Sequence, residues 1–237
     1  MNIKALLFAA VLLVTGSQHV SAQTIIGVWG DSTTQGWTVE TGTATVTPRN
    51  EVAQLQTLLQ AEGYNVKVEN HGSFGATSFD LLNGTGNVPT SFAVAMATTD
   101  ATFVVIDIGL NDTVPLTNGT EKGATYAANI QQLVNIAKAA GKTVFIETAN
   151  PRTDSNGAYE NQCMWIAVDN LSVYENTPGT HWIDVYTAIT SFLPNWQNDL
   201  PDGIHPNDTM YAFKAAVEAG VIAPYLSLTY PIYTQIP

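Results

Sequence analysis

Four short clusters in this chain carry side chains suited to acyl chemistry. They are Gly30-Asp31-Ser32, Asn70-His71-Gly72-Ser73-Phe74-Gly75, Gly109-Leu110-Asn111-Asp112 and Asp202-Gly203-Ile204-His205. A serine hydroxyl is a poor nucleophile at neutral pH unless a base takes its proton as it attacks. An imidazole, with an intrinsic pKa near 6.5, can take that proton and later return it to a leaving alkoxide. His205 is the candidate base for Ser32. Asp202 lies three residues before it, and the compact Gly203-Ile204 turn lets the carboxylate meet Nδ1–H and fix the tautomer that presents Nε2 to the serine. Gly75 can bring an unobstructed backbone N–H to a substrate oxygen. Asn111 adds a side-chain amide donor and the Ser32 backbone N–H a third, together enough for an oxyanion hole.

The elements that must hold these residues are legible as alternating patterns. Apolar runs rich in branched residues at 24–29, 65–69, 103–108, 143–147 and 182–186 predict five buried strands. Helical spacing of apolar residues at 51–62, 126–140 and 207–219 predicts helices, the first two closed by Gly63 and Gly141. Strands with no wet face, alternating with helices, predict a parallel sheet covered on both sides. Ligand sites in such sheets lie beyond the C-terminal strand ends, where the first three clusters fall; the fourth precedes the last helix.

In order and spacing the clusters resemble those of the SGNH hydrolases, also called GDSL esterases or lipases: Gly-Asp-Ser at 30–32, Asn-x-Gly-x-x-Gly at 70–75, Gly-x-Asn-Asp at 109–112 and Asp-x-x-His at 202–205. The resemblance implies a flavodoxin-like three-layer α/β/α sandwich with a five-stranded parallel sheet. It implies Ser32 as nucleophile, Asp202 and His205 as its partners, and Gly75 with Asn111 in the oxyanion hole. Gly75 is preferred to Gly72 because the family's oxyanion glycine is the later one. Thr33 stands where the family's nickname has Leu, a form that resembles members acting on acetylated carbohydrates.

Composition bounds the alternatives. The chain has 237 residues, 45% hydrophobic, with 8 Lys+Arg against 20 Asp+Glu and a net charge of −12. That charge, with no basic cluster, excludes nucleic acid as a partner. Lys4, the ten-residue apolar run Ala5–Val14 and the small residues Val20-Ser21-Ala22 predict a signal peptide cleaved after Ala22, leaving a single domain over 23–237 that is secreted or periplasmic. The run is too short for a membrane anchor. Cys163, alone, cannot form an intramolecular bridge. No cofactor is expected. No metal is expected either, since Asp199, Asp202 and Asp208 fit no calcium-loop spacing and no His or Cys set suits zinc.

The expected substrate is a small-molecule or carbohydrate ester with a short acyl chain, with Trp37 and Phe74 as pocket-lining candidates. A lysophospholipase or thioesterase taking longer chains is the rival within the same chemistry. A non-catalytic carbohydrate-binding module is the rival from another class, though binding alone does not require Ser32, Asp202 and His205 together. Trp29, Trp165 and Trp196 are expected in the core, His71 in a strand-end hydrogen bond, and His181 on the surface ahead of the fifth strand. Asp31 and Asp112 are expected to brace their own turns.

Overall fold

The computed structural model describes residues 22–227. The predicted signal peptide therefore lies, apart from Ala22, outside the described residues. In chain order the elements are β1 (Thr24–Gly30), α1 (Ser32–Gln35), β2 (Trp37–Thr38), β3 (Thr45–Val46), α2 (Glu51–Ala61), β4 (Val66–Gly72), α3 (Ser78–Asn83) and α4 (Phe92–Thr98). There follow β5 (Phe103–Asp107), α5 (Thr113–Thr117), α6 (Gly123–Ala139), β6 (Thr143–Glu147), α7 (Glu160–Glu175), β7 (Thr180–Ile183), α8 (Val185–Phe192) and α9 (Asp208–Ile222).

Five strands form one parallel sheet in the order β4-β1-β5-β6-β7, while β2 and β3 form a small antiparallel pair. Renumbered within the large sheet the order is 2-1-3-4-5, the flavodoxin-like arrangement, and its topological switch point lies between β1 and β5. Alternate strand residues feed two cores. Trp29, Val104, Ile106, Val144 and Ile146 pack with residues of α3, α4, α6 and α7 on one side. Ile26, Val28, Val105, Phe145 and Ile183 pack with α2, α8 and α9 on the other. Burial on both faces is why β1, β5 and β6 show no polar alternation, whereas β4, expected as a buried strand over 65–69, is an edge strand that exposes Lys67 and Asn70 and runs on to Gly72.

Several expectations need correction. The fifth strand runs from Thr180 to Ile183, because Asp184 accepts the Thr187 N–H and starts α8 where the sequence suggested more strand. His181 accordingly lies within β7, half-buried, with its ring 4.0 Å from Tyr225 and 4.8 Å from Phe145, rather than on the surface ahead of it. Helix α7 went unpredicted because both its faces are apolar: Cys163, Ile166 and Val173 face inward while Met164, Trp165, Val168 and Leu171 face out. Trp165, expected in the core, is 56% exposed, whereas Trp29 and Trp196 are buried as expected.

Candidate active site

The parallel register sets Gly30 beside both Gly72 and Asp107, so the segments following β1, β4 and β5 emerge together at the switch point. The turn after β1 is crowded. A Cβ on Gly30 would come within 2.3 Å of the Asp107 carbonyl, and one on Gly72 within 2.2 Å of the Gln35 backbone nitrogen, so both glycines serve close packing. Asp31 caps α1, its Oδ1 accepting from the Thr33 N–H and hydroxyl at 2.9 and 3.0 Å. Ser32 then occupies the first helical position, where a backbone N–H has no partner within the helix.

Ser32 Oγ lies 3.0 Å from His205 Nε2, although 173 residues separate them. His205 Nδ1 lies 2.7 Å from Asp202 Oδ2. The other oxygen, Asp202 Oδ1, accepts from the backbone N–H groups of Ile204 and His205 at 2.9 and 2.7 Å. Partial burial pushes the Asp202 carboxyl up, but the His205 ring and these two N–H groups outweigh it and hold the pKa at about 2. An ionised carboxylate only accepts hydrogen bonds, which puts the proton on Nδ1 and leaves Nε2 to accept from the serine hydroxyl.

Gly75 adopts φ +72° in an exposed loop, with open space where a Cβ would stand. Asn111 Nδ2 donates to the Ala76 carbonyl at 3.0 Å, tying the Asn111 amide to the Gly75 loop and leaving its second N–H for another acceptor. Asp112 does not brace its own turn as expected. It is buried and accepts from the Ser78 N–H and hydroxyl, 34 residues away, while Asn129 donates to Ser78 Oγ. Burial pushes Asp112 up to about 7 against the pull of the Ser78 hydrogen bonds. The Trp37 ring lies 4.7 Å from Phe74 and 6.4 Å from His205, so the two pocket candidates and the imidazole form one aromatic edge, with Phe74 46% exposed. His71 lies near the end of β4 with Nε2 3.4 Å from Glu69 Oε2, the strand-end polar contact expected of it. It stacks on Trp29 at 4.2 Å, and burial lowers its pKa.

Two buried cations escaped the sequence reading. Arg152, 4% exposed in the loop after β6, donates to the Leu110 carbonyl, to Thr113 Oγ1 and to both oxygens of Asp154. Lys214 on α9 is fully buried, 2.6 Å from Glu51, 3.3 Å from Asp107 and 3.7 Å from Glu147. Oxygens of these three carboxyls converge within 4.8 Å, as metal ligands would, but the Lys214 ammonium already sits among them. The available signal was scarcity: two of only eight basic residues stand in or beside otherwise apolar elements.

Parallel sheets place their ligands at the edge where Ser32 and His205 meet, and a hydroxyl facing an oriented imidazole is how hydrolases that work through a serine are built. The chain belongs to the GDSL-like lipase/acylhydrolase family, whose model matches residues 28–213. Among solved structures it is similar to a lipase/acylhydrolase from Enterococcus faecalis, with a TM-score of 0.69 and 22% identity, covering 87% of this chain and 98% of that one. It is also similar to a carbohydrate acetylesterase from Sinorhizobium meliloti (TM-score 0.67, 14% identity, covering 86% and 100%) and to an aryl esterase from M. smegmatis (TM-score 0.68, 16% identity, covering 85% and 99%). At these identities the likeness establishes the fold. No curated protein matches the chain at a significant level. Among the described residues no helix is long and apolar enough to cross a membrane.

Proposed function

We propose that this family member is an exported serine esterase that cleaves short-acyl carboxylic esters, such as acetyl groups on carbohydrate or small aryl esters, through an acyl-enzyme on Ser32. The observation that carries the reading is the unbroken chain from Ser32 Oγ to His205 Nε2 at 3.0 Å and from His205 Nδ1 to Asp202 Oδ2 at 2.7 Å. His205 takes the hydroxyl proton as Oγ attacks the ester carbonyl carbon. The resulting oxyanion is met by the N–H groups of Ser32 and Gly75 and by the Asn111 amide. Collapse breaks the bond to the alcohol oxygen, which leaves with the proton held on His205. Water, losing a proton to His205, then attacks the acyl carbon and releases the acid and the serine.

The aromatic surroundings of His205 bear on the substrate class. The Trp37–Phe74 edge beside His205 suits a planar or sugar-ring alcohol on the leaving-group side. The names of the S. meliloti and M. smegmatis neighbours, a carbohydrate acetylesterase and an aryl esterase, fit both classes. The test is hydrolysis of p-nitrophenyl acetate, butyrate and octanoate by wild type and Ser32→Ala. Turnover that falls with chain length and vanishes in the variant supports the reading. Preference for octanoate moves it to a lysophospholipase or thioesterase, and equal rates in the two proteins overturn it. Export is tested by expressing the full chain in a bacterium and sequencing the N-terminus of the exported protein, expected at Gln23.

A further inference from the structure

The loop after β6 touches both halves of the site. We propose that Arg152 is a positioning residue that fixes the Asn111 loop relative to the Asp202–His205 loop, and thereby the distance between oxyanion donors and base; this rests on the esterase reading above. The Nη1 group of Arg152 donates to the carbonyl of Leu110, the residue before Asn111, at 3.1 Å, and to Thr113 Oγ1 at 2.7 Å. The Thr113 hydroxyl donates to the same Leu110 carbonyl at 2.6 Å, so the Asn111 loop is gripped from both sides. The other face of the guanidinium holds Asp154 in a two-point pair, Nε to Oδ1 at 2.6 Å and Nη2 to Oδ2 at 2.8 Å.

Asp154 carries the link onward. Its backbone N–H and that of Thr153 both donate to the carbonyl of Gly203, at 3.2 and 2.7 Å, and Gly203 lies between Asp202 and His205. The approach is close: Gly203 has φ +80°, and a Cβ there would stand 2.7 Å from the Asp154 nitrogen. From the same loop, Asn150 Nδ2 reaches the Ile204 carbonyl at 3.3 Å. The Tyr159 ring lies 4.6 Å from the guanidinium carbon. A continuous set of hydrogen bonds thus runs from Leu110, the neighbour of Asn111, through Arg152 and Asp154 to Gly203, the neighbour of Asp202. Only a planar, multi-donor cation can serve both ends at once, because a lysine ammonium is a single point.

The test compares Arg152→Lys and Asp154→Asn with wild type and Ser32→Ala, each first melted to confirm folding. Misplacement of reacting groups by about 1 Å costs on the order of 10²-fold in rate. Arg152→Lys is expected to lower kcat for p-nitrophenyl acetate by about that factor, with KM within about threefold of wild type. Because the clamp acts through Asn111, adding Arg152→Lys to Asn111→Ala should cost little more than Asn111→Ala alone; a purely structural role would multiply the two losses. Asp154→Asn, which leaves the arginine in place, should show the same pattern and serves if Arg152→Lys does not fold. Ser32-dependent turnover with both variants near wild type, or losses that multiply, overturns the clamp. Hydrolysis that does not depend on Ser32 overturns the esterase reading itself.

Discussion

Replacing Asp202 with Asn separates the two jobs of that carboxylate. In stability it contributes little. Its pKa is held at about 2 against an ordinary 3.8, partial burial being outweighed by the His205 and Ile204 hydrogen bonds. At about 1.4 kcal/mol per tenfold change this is worth roughly 2.5 kcal/mol in a dry site. The side chain is 30% exposed, and solvent screening reduces the figure to about 1 kcal/mol. For a chain of this length that is a fall in Tm of about 2–4 °C. The contribution is present above pH 4 and disappears as pH falls through 2, because the folded pKa lies below the unfolded one. In chemistry the loss is far larger. Asparagine can still offer its oxygen to the Ile204 and His205 N–H groups, but its NH2 then faces Nδ1, which must become an acceptor. The ring proton moves to Nε2 and points at Ser32 Oγ, so the base is lost. Such tautomer reversal costs about 10⁴-fold in kcat, roughly 5.5 kcal/mol. The assay is kcat/KM on p-nitrophenyl acetate at pH 7 beside a thermal melt. An Asp202→Asn protein that melts within about 5 °C of wild type and keeps a tenth or more of its activity would refute the tautomer argument.

Asn111→Ala is expected to lower kcat by about 10²–10³-fold with a smaller change in KM, measured on the same ester, because it removes one of the proposed oxyanion donors. Gly203→Ala puts a methyl group 2.7 Å from the Asp154 nitrogen at φ +80°; chemical denaturation should show a loss of about 1–3 kcal/mol, and activity should fall further than stability alone explains. Glu218 is fully buried, and burial followed by the nearby Glu51 charge lifts its pKa to about 8 from 4.5. The folded state therefore holds a proton that the unfolded state gives up above pH 4.5, and wild-type stability falls as pH rises from 4.5 to 8. Glu218→Gln should flatten that fall in Tm measured across pH 5 to 9, and an unchanged slope would show that this carboxyl is not the proton holder.

What was legible in the sequence follows from which signals are local. The central strands announced themselves because a strand buried on both faces is an apolar run that needs no partner to be recognised, as at 103–108 and 143–147. Helices α2 and α6 have one wet face each and were equally plain. Helix α7 was hidden because Met164, Trp165, Val168 and Leu171 coat its outer face and erase the helical period. The end of the fifth strand was missed for another reason: Trp182 to Tyr186 has strand composition throughout, and only the Asp184 cap turns it into a helix. In the site, Ser32, Gly75, Asn111, Asp202 and His205 stood out because each lies in a short cluster beside a turn. Arg152 and the Asp112–Ser78 strap are contacts across 34 to 42 residues, with no spacing rule to reveal them.

The buried lysine links the chain after His205 to the turn around Ser32, although the two lie far apart in the sequence. β5 and β6 end in Asp107 and Glu147, carboxyls that point into the C-terminal edge of the sheet, where burial alone would expel them. Glu147 is pushed well above its ordinary range by burial, then by Glu218 and Asp107; Glu51 is pushed up by burial against the pull of Lys214. Lys214 is the counterion within 4 Å of Glu51, Asp107 and Glu147, and it projects from α9, the helix that follows His205 directly. Asp107 in turn accepts the hydroxyl of Thr34, two residues after Ser32, at 2.7 Å. The ammonium therefore joins the helix behind His205 to the turn that carries Ser32, through a single carboxylate. An apolar pair of the same size could pack as well or better, but it would leave the Thr34 hydroxyl and the end of β5 without a shared partner. The polar choice ties the helix after His205 to the turn of Ser32, the two places whose side chains meet at 3.0 Å.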